Sequence, residues 1–192
     1  MATVLGIDPG TWETAYVGYE VNDRQDGIST DRVIEHGFVK NEDMLALLRD
    51  DEWLETYNKV GIEMIASYGM AVGKETFATV VWIGRMVEIV NGFREHAVIN
   101  GRPDWAWRLC YRKQIIKWFC QGAGAGDPQL RAALADRFPS TGGGTKPVWG
   151  TKKQPGPLYG VTGTHKLAAL GVAVYAAETP GTLNAIPETT KG

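Results

Sequence analysis

With 192 residues and 44% hydrophobic content, the chain suits one globular domain with room for a sizeable core. A formal charge of −2 means that any affinity for nucleic acid has to come from a local basic patch. Two cysteines, Cys110 and Cys120, are too few for a disulfide framework and lack the spacing of a metal knuckle, so reduced thiols are expected. The chain has no apolar run of about 18 residues and no charged-then-apolar leader, which predicts a cytoplasmic protein with no membrane span.

Thr3–Ile7 is a short apolar, β-branched run, the composition of a buried strand. It stops at Asp8-Pro9-Gly10, where proline fixes one backbone angle and glycine permits another, so the chain must turn. An aspartate at the end of a buried strand is held rigidly and partly desolvated; it caps a turn, binds a cation or does chemistry. Trp12–Val21 alternates aromatic and β-branched residues and reads as a second strand, and Thr30–Val39 as a third, joined by the polar turn Asn22–Ser29. Asn41 is suited to N-cap a single helix running to about Trp53, with Met44, Leu45, Leu47 and Leu48 as its apolar stripe.

Lys59–Ile65 is the fourth strand and carries Glu63 among apolar neighbours, a costly position for a carboxylate unless it is paired or binds metal. A helix is predicted over Glu75–Arg94 and a fifth strand over Trp105–Tyr111. A short basic helix, Arg112–Gln121, carries Arg112, Lys113 and Lys117. After a glycine break, Asp127–Phe138 resumes as a helix, with Asp127 at the N-cap and Pro128 at the first position. Ser140–Pro157 is rich in Gly, Pro and Lys and without period, a long loop that is flexible or ordered only by a partner. Thr162–Glu178 is a small-residue helix with His165 in its first turn.

This order predicts a single α/β domain over residues 1–178, with a frayed tail over 179–192. Its mixed five-stranded sheet has three antiparallel strands, then parallel ones, and helices on both faces. If the first and fourth strands are parallel neighbours, Asp8 and Glu63 reach one edge of the sheet, where open α/β sheets place their sites. Two carboxylates and an imidazole suit a divalent cation, with Mg²⁺ or Mn²⁺ favoured by oxygen ligands. A pair of such cations about 3.5–4 Å apart could activate water and stabilise the leaving oxygen of a phosphodiester.

LGIDPGT, the glutamate in GIEMI, the stretch RKQIIKWFCQGAGAGDPQLRAAL and then HKLAALGVAV together resemble the RuvC-type Holliday junction resolvases, especially shorter phage-encoded relatives. The resemblance runs from Thr3 to Ala177. It implies an RNase H-like fold, a homodimer, and Mg²⁺-dependent paired nicking of four-way or branched DNA junctions in a bacterial cytoplasm. Asp8 matches the first catalytic acid and Glu63 the second; His165 falls where the family has an acid or a histidine at the start of the last helix. Ala168 departs from the pattern, because the family often carries another aspartate one turn after that position. Asp127 and Asp136 are alternative acids, but a helix cap and a solvated face explain them better.

For DNA, Tyr68 is placed to wedge between bases, with ordinary loop packing as its rival reading. Arg112, Lys113, Lys117, Lys146, Lys152, Lys153 and Lys166 are candidates to track phosphates. Trp105 and Trp107 alternate on a strand and read as core. The helix Glu75–Arg94 is apolar around more of its circumference than one sheet-facing stripe requires, which makes it the candidate dimer interface, with Trp82 and Met86 as its test positions. Two other classes share the opening motif or the fold. One is a nucleotide-binding phosphotransfer domain of the actin and sugar-kinase superfamily, which needs a second domain. The other is a junction-binding protein that has lost catalysis.

Overall fold

The computed structural model describes residues 2–22, 31–66, 72–120 and 124–179. Five strands, β1 (Ala2–Pro9), β2 (Glu13–Val21), β3 (Arg32–Lys40), β4 (Lys59–Met64) and β5 (Ala106–Tyr111), form one sheet in the order β3-β2-β1-β4-β5. The first three pair antiparallel, while β4 and β5 run parallel to β1. The helices are α1 (Asn41–Leu48), α2 (Asp51–Glu55), α3 (Lys74–Ile99), α4 (Arg112–Cys120), α5 (Asp127–Ala135) and α6 (Gly163–Glu178). The mixed RNase H-like sheet expected from the sequence is the one observed. Among the described residues, no helix is long and apolar enough to cross a membrane.

Strand alternation divides the core in two. Leu5, Ile7, Val60 and Ile62 face one way and pack with Met44 and Leu45 of α1 and Ile83, Met86 and Val90 of α3. Val4, Ala15 and Val17 face the other way, towards Ile115 of α4, Leu130 of α5 and the buried run of α6 from Leu167 to Val174. Trp105 and Trp107 are buried, as their alternation predicts.

Helix α6 approaches the sheet so closely that only glycine fits beneath it. A Cβ placed on Gly6 would sit 2.6 Å from the Ala173 nitrogen and 2.8 Å from the Ala173 Cβ. One placed on Gly61 would meet Val172 Cγ1 at 2.8 Å and Ala176 Cβ at 3.0 Å. The small residues of α6 permit this contact from the helix side.

Four sequence expectations are corrected. The segment after β3 is two helices, because Asp50 stops the first and caps the second, accepting from the Trp53 nitrogen at 3.2 Å. Asn41 does not cap a helix: it is fully buried inside α1 and serves the turn after Asp8. Its Nδ2 donates to the Gly10 and Thr11 carbonyls at 3.0 and 3.2 Å, its Oδ1 accepts from Thr14 Oγ1 at 2.7 Å, and its backbone nitrogen donates to the Trp12 carbonyl at 3.1 Å. The D-P-G turn leaves partly covered carbonyls that need donors, and Asn41 supplies them.

The third correction concerns the long loop, which holds itself together. Gly142 N donates to Pro147 O at 2.8 Å, Gly143 N to Gln154 O at 2.9 Å and Leu158 N to Val148 O at 2.9 Å, while Val148, Leu158 and Val161 reach the core. Finally, Met86 is not on an outward face of α3. It is fully buried against the sheet in one row with Ile83 and Val90, so it cannot test an interface. The exposed apolar residues of that helix include Phe77 and Val81; Trp82 is half-buried, with the Arg85 guanidinium 4.4 Å from its ring centre. Tyr68, residues 23–29 of the polar turn and the tail from 180 onward lie outside the described residues.

The close contact of α6 is testable. Gly6→Ala is expected to destabilise the chain by about 1–3 kcal/mol in urea unfolding, as overpacking does. Gly84→Ala, on α3 with no neighbouring atom within 4 Å, should instead stabilise it by about 0.5–1 kcal/mol. Equal stability of Gly6→Ala and the parent would mean that α6 does not rest on β1 as described.

Candidate active site

The same triplet pattern occurs on two neighbouring strands. Gly6-Ile7-Asp8 in β1 lies beside Gly61-Ile62-Glu63 in β4, the strands run parallel, and Gly6 pairs with Gly61 and Ile7 with Ile62. Each isoleucine faces α1 and α3, each glycine underlies α6, and each acid, two residues on, projects on the α6 side. The next step of the register therefore sets Asp8 beside Glu63, where the helix that covers both strands begins.

His165, in the first turn of α6, completes the cluster: its Nδ1 is 2.8 Å from Asp8 Oδ2. The imidazole stacks on Phe38 of β3, with ring centres 5.6 Å apart and planes 17° apart. On the other side, Arg112 enters at the start of α4, directly after β5. Its Nη1 donates to Glu63 Oε2 at 3.4 Å and its Nη2 to Asp127 Oδ1 at 2.6 Å. The carboxylates are largely covered, at 15% exposure for Asp8 and 13% for Glu63, whereas the His165 side chain is 60% exposed. The cluster thus has a buried acidic floor and an open imidazole edge.

Electrostatics set the two acids against each other. Burial raises the Asp8 carboxyl above its usual range, opposed by the hydrogen bond and charge of His165 and by Arg112. Burial also raises Glu63, and the negative charge of Asp8 pushes it further the same way, against the pull of Arg112. Two desolvated carboxylates beside a single guanidinium resist carrying two full charges, and a dication is the partner that would relieve them. Among the described residues, no three His, Cys, Asp or Glu side chains stand together as a ready-made metal site. The donor chemistry of Asp8, Glu63 and His165 nevertheless fits a hard divalent ion.

The other candidates are dispersed. Lys113 and Lys117 are exposed on α4, and Lys146, Lys152 and Lys153 are exposed on the loop before α6. Lys166 is half-buried and engaged within the fold: its Nζ donates to the Gly160 carbonyl at 3.2 Å and lies 3.3 Å from His36 Nδ1. Arg112, read from sequence as a phosphate contact, reaches inward between two acids. Asp127, read as a cap, is the outer partner of Arg112, and Gly126 takes the cap position instead. Asp136 caps the end of α5, and Ala168 lies on the buried side of α6. Sequence reasoning missed Phe38; strand alternation gives its face but carries no signal for what lies across from it.

No family model and no curated protein matches this chain. Solved structures do. The Thermus thermophilus RuvC structure aligns with a TM-score of 0.58 at 15% identity, covering 91% of this chain and 93% of that one. T. thermophilus RuvC in complex with a Holliday junction substrate aligns with a TM-score of 0.60 at 15% identity, covering 92% and 93%. At this identity the likeness is one of fold: the chain has the RNase H-like fold of RuvC, with Asp8, Glu63 and His165 gathered at one edge of its sheet.

Proposed function

We propose that this chain is a divalent-metal-dependent, structure-specific endonuclease that binds four-way or otherwise branched DNA and hydrolyses phosphodiesters by paired nicks as a homodimer. The observation that carries the reading is the in-register placement of Asp8 and Glu63 on parallel strands, with His165 closing over Asp8. Fold likeness to RuvC, including RuvC with a Holliday junction substrate, raises the case for that substrate class by analogy.

In this reading Asp8 and Glu63 hold Mg²⁺, or Mn²⁺ in its place. Such a cation would supply polarisation of the scissile phosphate and a lowered pKa of nearby water. Arg112, at the start of α4, holds the Glu63 carboxylate through Oε2. His165 directs Nδ1 to Asp8, which leaves Nε2, on the far side of the ring, as the nitrogen able to move a proton. The exposed Lys113, Lys117, Lys146, Lys152 and Lys153 supply the local positive charge that a chain of net charge −2 needs for DNA. A junction-binding protein with weakened catalysis is the second reading, carried by Ala168, because Lys166 to Ala169 place no acid one turn after His165.

The chemistry separates from binding by mutation. Asp8→Asn or Glu63→Gln should slow junction cleavage by at least about a hundredfold while gel-shift binding persists. Near-parental nicking by either variant would show that the metal site is misplaced.

Phosphate contacts are read from salt. The log-log dependence of junction affinity on salt should be steep, and replacing Lys152 and Lys153 together by Ala should flatten its slope by about one to two units. An unchanged slope would return the loop to a structural role.

Paired nicking needs two sites related by a two-fold axis. The exposed residues Phe77 and Val81 replace buried Met86 as the test of α3 as the interface. Val81→Glu should sediment as a monomer, bind junctions weakly and cut single strands only. A parent chain that is monomeric at micromolar concentration and still nicks both strands in one encounter would defeat the dimer.

A further inference from the structure

We propose that Phe38 is a positioning residue for His165, and that β3 orients this imidazole towards Asp8 by gripping it and the residue that follows. The proposal rests on the reading of Asp8 and His165 as part of the active site. His165 is joined to Asp8 by one hydrogen bond and is otherwise largely exposed, so that bond alone leaves its ring orientation weakly fixed. Phe38 supplies the missing constraint. It stacks on the ring at 5.6 Å and 17°, and it is itself 44% exposed, a large apolar side chain placed outside both core clusters.

The chain entering α6 needs such a hold. Gly160 and Gly163 both have positive φ, +80° and +77°, where glycine imposes least constraint on the backbone. His36, two residues before Phe38 and on the same face of β3, secures this entry. Its Nε2 lies 3.1 Å from the Tyr159 carbonyl, which can only accept, so Nε2 carries the proton. Nδ1 is then free to accept from Lys166 Nζ at 3.3 Å, and that ammonium also donates to the Gly160 carbonyl. Strand β3 therefore holds two consecutive residues of α6, His165 by stacking and Lys166 by hydrogen bonding.

The test compares Phe38→Ala with the ring-preserving Phe38→Tyr. The His165 ring resonances are followed by proton–carbon correlation NMR and assigned with His165→Gln. The aromatic ring current should displace these resonances in the parent and in Phe38→Tyr, and the displacement should vanish in Phe38→Ala. On a junction substrate, Phe38→Ala should lower kcat on the order of tenfold with KM nearly unchanged, and Phe38→Tyr should restore it. Resonances that do not move in Phe38→Ala would overturn the proposal, as would moved resonances with an unaltered kcat in a chain that cleaves junctions. A parent that cleaves no junction would overturn the functional reading alone, and the NMR comparison would still decide whether Phe38 holds the ring.

Discussion

The backbone of α6 rests on two glycines, and the rest of the site follows from that contact. Gly6 and Gly61 lie side by side on parallel strands beneath Ala173, Val172 and Ala176, where any larger residue would push the helix away. Strand alternation then fixes what comes two residues later: Asp8 and Glu63 on the same face, past the glycines, at the level where the helix starts. The first turn of α6 brings His165 over Asp8. Lifting the helix by the width of a methyl group would part the imidazole from the carboxylate without altering either residue. Asn41 completes the framework from the opposite side, tying down the carbonyls of the turn that ends β1.

A second constraint is charge. Two acids this well covered, and this close in register, are each pushed towards their neutral forms by burial, and Glu63 further by Asp8. Arg112 offsets part of that cost while being held in turn by Asp127, so the guanidinium is fixed between the site and the surface. Such a cluster is poor as a stabilising element and apt as a cation site. It also assigns Arg112 a different task from Lys113 and Lys117, which are exposed on α4.

Much of this was legible in the chain itself, and the exceptions share a cause. The succession of strands and helices along the chain, the turn at Asp8-Pro9-Gly10 and the acid within a buried strand follow from local composition and alternation, whereas the parallel pairing of β1 with β4 does not. The orientation of α3 was not legible: apolar residues lie around most of the helix, so period alone could not tell that Ile83, Met86 and Val90 face the sheet while Phe77 and Val81 do not. Arg112 read as a phosphate contact because its partner Glu63 lies 49 residues away in sequence. Asn41 read as a cap because its preference for helix starts is local, whereas the carbonyls it serves belong to a turn about 30 residues earlier. In the long loop, Val148 and Leu158 anchor a segment whose Gly, Pro and Lys content signals flexibility. The repeated triplet Gly-Ile-acid, Gly6-Ile7-Asp8 and Gly61-Ile62-Glu63, carries in the sequence both the close helix and the paired carboxylates.

The central claim is that the Asp8–Glu63 edge cleaves branched DNA with the help of a divalent cation. Its most direct measurement places a synthetic four-way junction, a matched duplex and a fork with the chain, each with Mg²⁺ and with chelator. The account predicts nicks in two opposing strands of the junction, dependent on Mg²⁺, with the duplex left intact. Cleavage that persists in chelator, or that cuts duplex as readily as junction, would contradict it.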